Sequence, residues 1–129
     1  MTDEASAVTE DFFNAIAAGD LDKVKAIYAD DVVVWHNTDK AEKGKDASVG
    51  TIQWLFDNIG DFKYVDVRNT PFPGGVLRRH FCQGVVRGTG QKIDLAIAVV
   101  AEVKNGQIVR LEEYLDSAQG ASGVPLGAD

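Results

Sequence analysis

Cysteine is nearly missing from this chain, with Cys82 alone among 129 residues. One thiol cannot close an intrachain disulfide or supply a cysteine-rich metal cage. Positive charge is also short: 13 Lys and Arg stand against 20 Asp and Glu, a formal net charge of −7. That balance removes the basic surface a nucleic acid or an anionic membrane would require, so neither is an expected partner. No apolar run approaches the roughly 20 residues of a membrane span. The opening MTDEAS lacks the basic and apolar regions of a signal peptide, so a cytoplasmic location is expected. No Gly-rich turn between a strand and a helix offers a dinucleotide site, and no His-x-x-x-His spacing pre-organises a metal; neither a cofactor nor a metal is expected.

What is present is a helical first half and a β second half. Residues 4–18 carry Ala5, Val8, Phe12, Ala15 and Ile16 at helical spacing, with Thr2 or Asp3 as N-cap and Gly19 as the stop. Asp20 then caps a short helix, LDKVKAIYA. Val32-Val33-Val34-Trp35-His36-Asn37 reads as a strand, and Thr38 to Lys45 as a loop. Asp46 is the expected cap of a third helix, ASVGTIQWLFDNI, which Gly50 weakens by about 1 kcal/mol relative to alanine. From residue 62 four β runs follow, separated by Pro71-Phe72-Pro73-Gly74-Gly75, Gly88-Thr89-Gly90 and an Asn105-Gly106 hairpin turn. Such short connections predict an antiparallel meander. The expected class is α+β: a cone-shaped, strongly curved antiparallel sheet with three helices on one face and a pocket between. One domain over residues 1–117 and a small, Gly-rich tail over 118–129 complete the organisation.

Alternation selects the candidate site. In the last strand Val109, Leu111, Glu113 and Leu115 share a face, which makes Glu113 a lone acid among apolar residues. Such a carboxylate must find a partner or shift its pKa upward. The strand after Gly75 puts Val76, Arg78, His80, Cys82 and Gly84 on one face. Its neighbour offers the wholly apolar face Ile93, Leu95, Ile97, Val99, Ala101 and Val103. The early strand presents either Val32, Val34 and His36 or Val33, Trp35 and Asn37. His36, His80 and Glu113 form the candidate catalytic set, since a histidine beside a carboxylate is suited to proton transfer near neutral pH. Arg78 and Cys82 are its neighbours. Cys82 reads either as a nucleophile beside His80 or as a small buried hydrophobe. Trp35 and Trp54 read as core or pocket-wall aromatics. The opposite sheet face, with Ala96, Ala98 and Val100, is apolar enough to pack against a second copy.

Over residues 5–117 the chain resembles the nuclear transport factor 2-like superfamily, in its SnoaL-like branch related to ketosteroid isomerase. The likeness is carried by the element order, by Gly19-Asp20, by Tyr28-Ala29-Asp30-Asp31 leading into VVVWHN, and by the ending VKNGQIVRLEEYLD. It implies a cone-shaped pocket and frequent homodimers, but no single activity. Set against ketosteroid isomerases, the general base falls on His36, while the oxyanion donors fall on Phe12 and Val99, neither of which can donate. Set against limonene epoxide hydrolases, the relay positions carry His80, Cys82 and Glu113, with Val34 and His36 in place of the water-holding pair. The expected function is cofactor-independent acid/base catalysis of isomerase, cyclase or lyase type on a small hydrophobic carbonyl compound, through His36, His80 and Glu113. Phe12, Val34, Trp35, Trp54, Arg78, Cys82 and Val99 are the expected substrate-binding residues. The alternatives are a non-catalytic ligand-binding or dimerisation module, and an epoxide-hydrolase-like activity with an altered site.

Overall fold

The structure, a computed structural model, describes residues 3–116; the expected tail lies outside the described residues. Helix α1 spans Glu4–Ala18. It starts at Asp3, whose carboxylate accepts the Ser6 N–H at 2.9 Å, and stops at Gly19, which takes a left-handed φ of 72° that an L side chain would resist. Helix α2 spans Leu21–Ile27 behind an Asp20 cap, two residues shorter than the periodicity suggests. Tyr28 instead opens strand β1, Tyr28–His36. The segment read as a loop contains a two-residue strand β2, Glu42–Lys43, paired with Val34 and Trp35.

Helix α3 runs Lys45–Asn58 and corrects the predicted cap. Its N-cap is Gly44, which makes no side-chain hydrogen bond, and Asp46 lies inside the first turn. There its charge complements the positive end of the helix rather than closing it. Four strands follow: β3 (Ile59–Phe72), β4 (Gly75–Val86), β5 (Lys92–Lys104) and β6 (Gln107–Leu115).

The sheet order is β2-β1-β6-β5-β4-β3, open, with β2 and β3 at its edges. The meander β3 to β6 is antiparallel as expected, yet β1 joins β6 in parallel, so the six-stranded sheet is mixed and not purely antiparallel. A parallel neighbour needs a long crossover, which β2, α3, β3, β4 and β5 supply here. Bulges interrupt β3 at two places, where Asp61 and Asp66 adopt φ of 52°. A further irregularity between Glu102 and Val103 brings Ile108 opposite Val103 and buries it completely, in the role expected of Val109.

All three helices contribute side chains to one core cluster with the sheet. Phe12, Phe13 and Ile16 of α1 pack against Val76, Val99, Ala101 and Leu111 on one sheet face. Each of these side chains larger than alanine contributes about 1.5–3 kcal/mol when taken from water. The apolar face of β5 lies at the centre of this core, where Val99 and Ala101 have no exposed surface. No helix among the described residues is long and apolar enough to cross a membrane.

Candidate functional site

Between α1, α3 and the inner sheet face the core leaves a cavity of about 140 Å³. Most of its wall is apolar, and His36 and Glu113 interrupt it together. The parallel register makes these two residues lateral partners, the His36 Cα beside the Glu113 Cα. His36 Nε2 lies 2.9 Å from Glu113 Oε2. The side chains keep 14% and 19% of their surface exposed, which leaves both within reach of a small ligand. Of the two β1 registers left open by alternation, Val32, Val34 and His36 therefore face inward.

The electrostatics of the pair agree from both sides. Burial disfavours the His36 imidazolium, but the hydrogen bond and charge of Glu113 outweigh it and raise the pKa above the ordinary 6.5. Burial likewise disfavours the Glu113 carboxylate, yet the hydrogen bond from His36, followed by the charges of His36 and His80, brings its pKa below the ordinary 4.5. Of the two outcomes open to a lone acid on an apolar face, a partner is the one realised. Among the described residues no hydrogen bond engages His36 Nδ1, so one ring nitrogen is held by Glu113 and the other is available for proton transfer.

The other expected site residues divide. Phe12, Val34, Trp54 and Cys82 line the cavity. Trp35 does not: it lies on the opposite sheet face, its ring 5.2 Å from that of Tyr114. Val99 is buried in the core between Glu113 and Arg78 in register, and does not reach the cavity. Nor does Arg78, although it is 99% buried. Its Nη1 donates to Glu10 Oε2 at 2.8 Å, its Nε donates to His80 Nδ1 at 2.9 Å, and its guanidinium stacks 4.4 Å from the Phe13 ring centre.

His80 is thus drawn away from Glu113 and into this second cluster, between Phe13 and Tyr64. Burial, reinforced by the Arg78 charge, lowers its pKa to about 4, so it is neutral at physiological pH. The Cys82 thiol is pushed up to about 12, first by burial and then by the charges of Glu113 and Asp94. It fits the buried-hydrophobe reading, since a nucleophilic cysteine needs a thiolate.

Tyr28, Lys43, Ser48 and Thr51 also line the cavity and escaped the sequence reading. Tyr28 shares the even-numbered parity of Val32, Val34 and His36, but the β1–β6 register shifts between Tyr28 and Val33 and Asp30 is exposed, so alternation alone does not lead back to it. Lys43 lies on the two-residue strand, too short to leave a pattern. Among the described residues no group of three or more His, Cys, Asp or Glu is arranged to hold a metal ion.

Three helices, an open mixed sheet and a cavity between them define the nuclear transport factor 2-like, ketosteroid isomerase-like fold. The chain belongs to the SnoaL-like domain family, which matches residues 9–111. A proposed polyketide cyclase from Xanthomonas campestris pv. campestris superposes with a TM-score of 0.81 at 23% identity, over 90% of this chain and 93% of that one. An LEH-like epoxide hydrolase from M. tuberculosis gives 0.74 at 23% identity, over 90% and 85%. A hypothetical protein with a ketosteroid isomerase-like fold from Catenulispora acidiphila DSM 44928, in complex with trimethylamine, gives 0.77 at 14% identity, over 95% and 96%. At these identities the likeness is one of fold. No curated protein matches the sequence significantly.

Proposed function

We propose that this protein is an acid/base enzyme of isomerase, cyclase or lyase type acting on a small hydrophobic carbonyl compound. The observation that carries the reading is the His36 Nε2 to Glu113 Oε2 contact of 2.9 Å on the wall of a largely apolar cavity. Glu113 fixes the imidazole orientation and stabilises its cation, leaving Nδ1 to take a proton from the carbon next to a carbonyl. The electron pair of that C–H bond passes to the carbonyl oxygen, giving an enolate. Nδ1 then returns the proton to a different carbon, or the enolate carbon attacks an electrophile in the same molecule. Neither course consumes an oxidant or a cofactor.

The test is deuterium exchange into the α-positions of cyclohexanone in D₂O, followed by ¹H NMR. Exchange above the buffer rate is expected for the native protein, with a loss of about 10²- to 10⁴-fold in His36→Ala and Glu113→Gln. Equal rates in protein and buffer would overturn the reading.

A ligand-binding module without catalysis is the second reading, favoured by the withdrawal of His80 and Arg78 into the core; it predicts binding of cyclohexanone with no exchange. An epoxide-hydrolase-like course is supported by one retained feature, the Glu113 carboxylate on the cavity wall, and by the M. tuberculosis structural neighbour.

We infer a homodimer built on the outer sheet face. Phe81 and Tyr114 are about 40% exposed there, beside Ala96 and Ala98 in the ladder. Light scattering should give twice the chain mass, and Phe81→Asp should return a monomer.

A further inference from the structure

We propose that Tyr28 is the hydrogen-bond donor that receives the ligand's carbonyl oxygen, and that the site thereby selects a single-ring ketone over a hydrocarbon of the same shape. The proposal rests on the acid/base reading and assigns the polar end of its substrate.

Tyr28 opens β1, is 98% buried, and packs its ring 4.9 Å from that of Phe12. The residue lines the cavity. No described residue hydrogen-bonds its phenol. Among the described residues, however, only Thr9 Oγ1 is a side-chain polar atom both shut off from solvent-sized space and without a partner. The Tyr28 hydroxyl is therefore unpartnered but not occluded, and the void that its residue lines is this cavity.

The other polar groups on the wall are engaged. Ser48 Oγ donates to the Gly44 carbonyl at 2.8 Å, Thr51 Oγ1 to the Ala47 carbonyl at 3.2 Å, and Lys43 pairs with Asp39 at 3.0 Å. An O–H left without an acceptor in an apolar wall is costly, and a ligand oxygen removes that cost.

The phenol is suited to donating. Burial first, and then the negative field of Glu113, raise its pKa far above the ordinary 10, so it keeps its proton at physiological pH. Tyr28, His36 and Glu113 all line this one cavity. With the ligand oxygen at Tyr28 and its α-carbon toward His36 Nδ1, proton abstraction moves an electron pair onto the oxygen that Tyr28 already holds. The hydrogen bond strengthens as the enolate forms.

Size sets the rest of the substrate class. A cavity of about 140 Å³ compares with the engineered apolar cavity of about 150 Å³ that admits benzene, so one six-membered ring fits and a fused polycycle does not.

The experiment compares cyclohexanone with methylenecyclohexane, which replaces the C=O by C=CH₂, titrated into native protein and Tyr28→Phe with the His36 imidazole signal as the NMR reporter. The native protein should prefer the ketone by about fivefold, the worth of one neutral hydrogen bond. Tyr28→Phe keeps the ring and its contact with Phe12; it should lose that preference while binding the hydrocarbon as before. A preference that survives in Tyr28→Phe, or an equal loss of affinity for both compounds, overturns the assignment. If the preference survives and α-exchange continues, the acid/base reading stands without Tyr28. If neither compound binds the native protein, both readings fall.

Discussion

Asn37 holds Leu115 through both ends of its carboxamide. Nδ2 donates to the Leu115 carbonyl at 2.9 Å and Oδ1 accepts the Leu115 N–H at 3.0 Å, while the Asn37 N–H donates to the Glu113 carbonyl at 3.1 Å. One residue thus extends the β1–β6 ladder past the end of β1, tying it to β6 at Glu113 and two residues beyond.

The register that sets His36 beside Glu113 therefore depends on Asn37. Replacing it with alanine strands two backbone groups of Leu115, at a cost of about 1–3 kcal/mol in urea unfolding. The His36 pKa should fall toward 6.5 in the same variant as the pair loosens. Asn37→Asp, which can still accept from the Leu115 N–H, should lose less. An unchanged His36 titration in Asn37→Ala would show that the register is held elsewhere.

The chain has only two histidines, so an NMR titration resolves both. His36 should titrate above 6.5 and His80 near 4. Glu113→Gln should bring His36 down, because the opposing burial then acts without its carboxylate. Two histidines titrating together near 6.5 would contradict both placements.

Stability should follow these shifts with a definite sign. The raised pKa of His36 gives stabilisation that is full below 6.5 and lost as pH rises through the folded value. The lowered pKa of Glu113 gives stabilisation present above 4.5 and lost as pH falls through its folded value. The stability difference between native protein and His36→Gln should therefore be largest between about pH 4.5 and 6.5 in urea titrations. His80 acts oppositely to His36: the unfolded chain takes its proton first, which removes about 3 kcal/mol as pH falls from 6.5 to 4. A pH-independent difference between the two proteins would exclude the ion pair.

The Arg78–Glu10 contact is asymmetric, since the guanidinium is buried and the carboxylate side chain is 46% exposed. Glu10→Ala leaves a buried cation without its anion and should cost about 3 kcal/mol. Arg78→Met removes the charge and most of the penalty with it, and should cost less despite deleting the more buried partner. His80 should then titrate upward, because the Arg78 charge no longer opposes its protonation. A costlier Arg78→Met would mean that packing against Phe13 outweighs the charge.

The sequence by itself determined the order of helices and strands, the Gly19 and Asn105-Gly106 turns, the burial of the β5 apolar face and the anomaly of an acid at position 113. These are properties of neighbouring residues, set by periodicity, capping and turn chemistry. The α3 cap and β2 are not legible in the sequence, because Gly44 carries no side chain and two residues carry no pattern. Only the tertiary structure decided which histidine Glu113 holds. His36 and His80 are equally plausible by alternation, but β1 enters the sheet beside β6 in parallel, whereas β5 separates His80 from that strand. Arg78, two residues from His80 on the same face, then takes the second histidine for the core. Contacts between strands so distant in sequence depend on how the whole chain packs, and local pattern does not contain them.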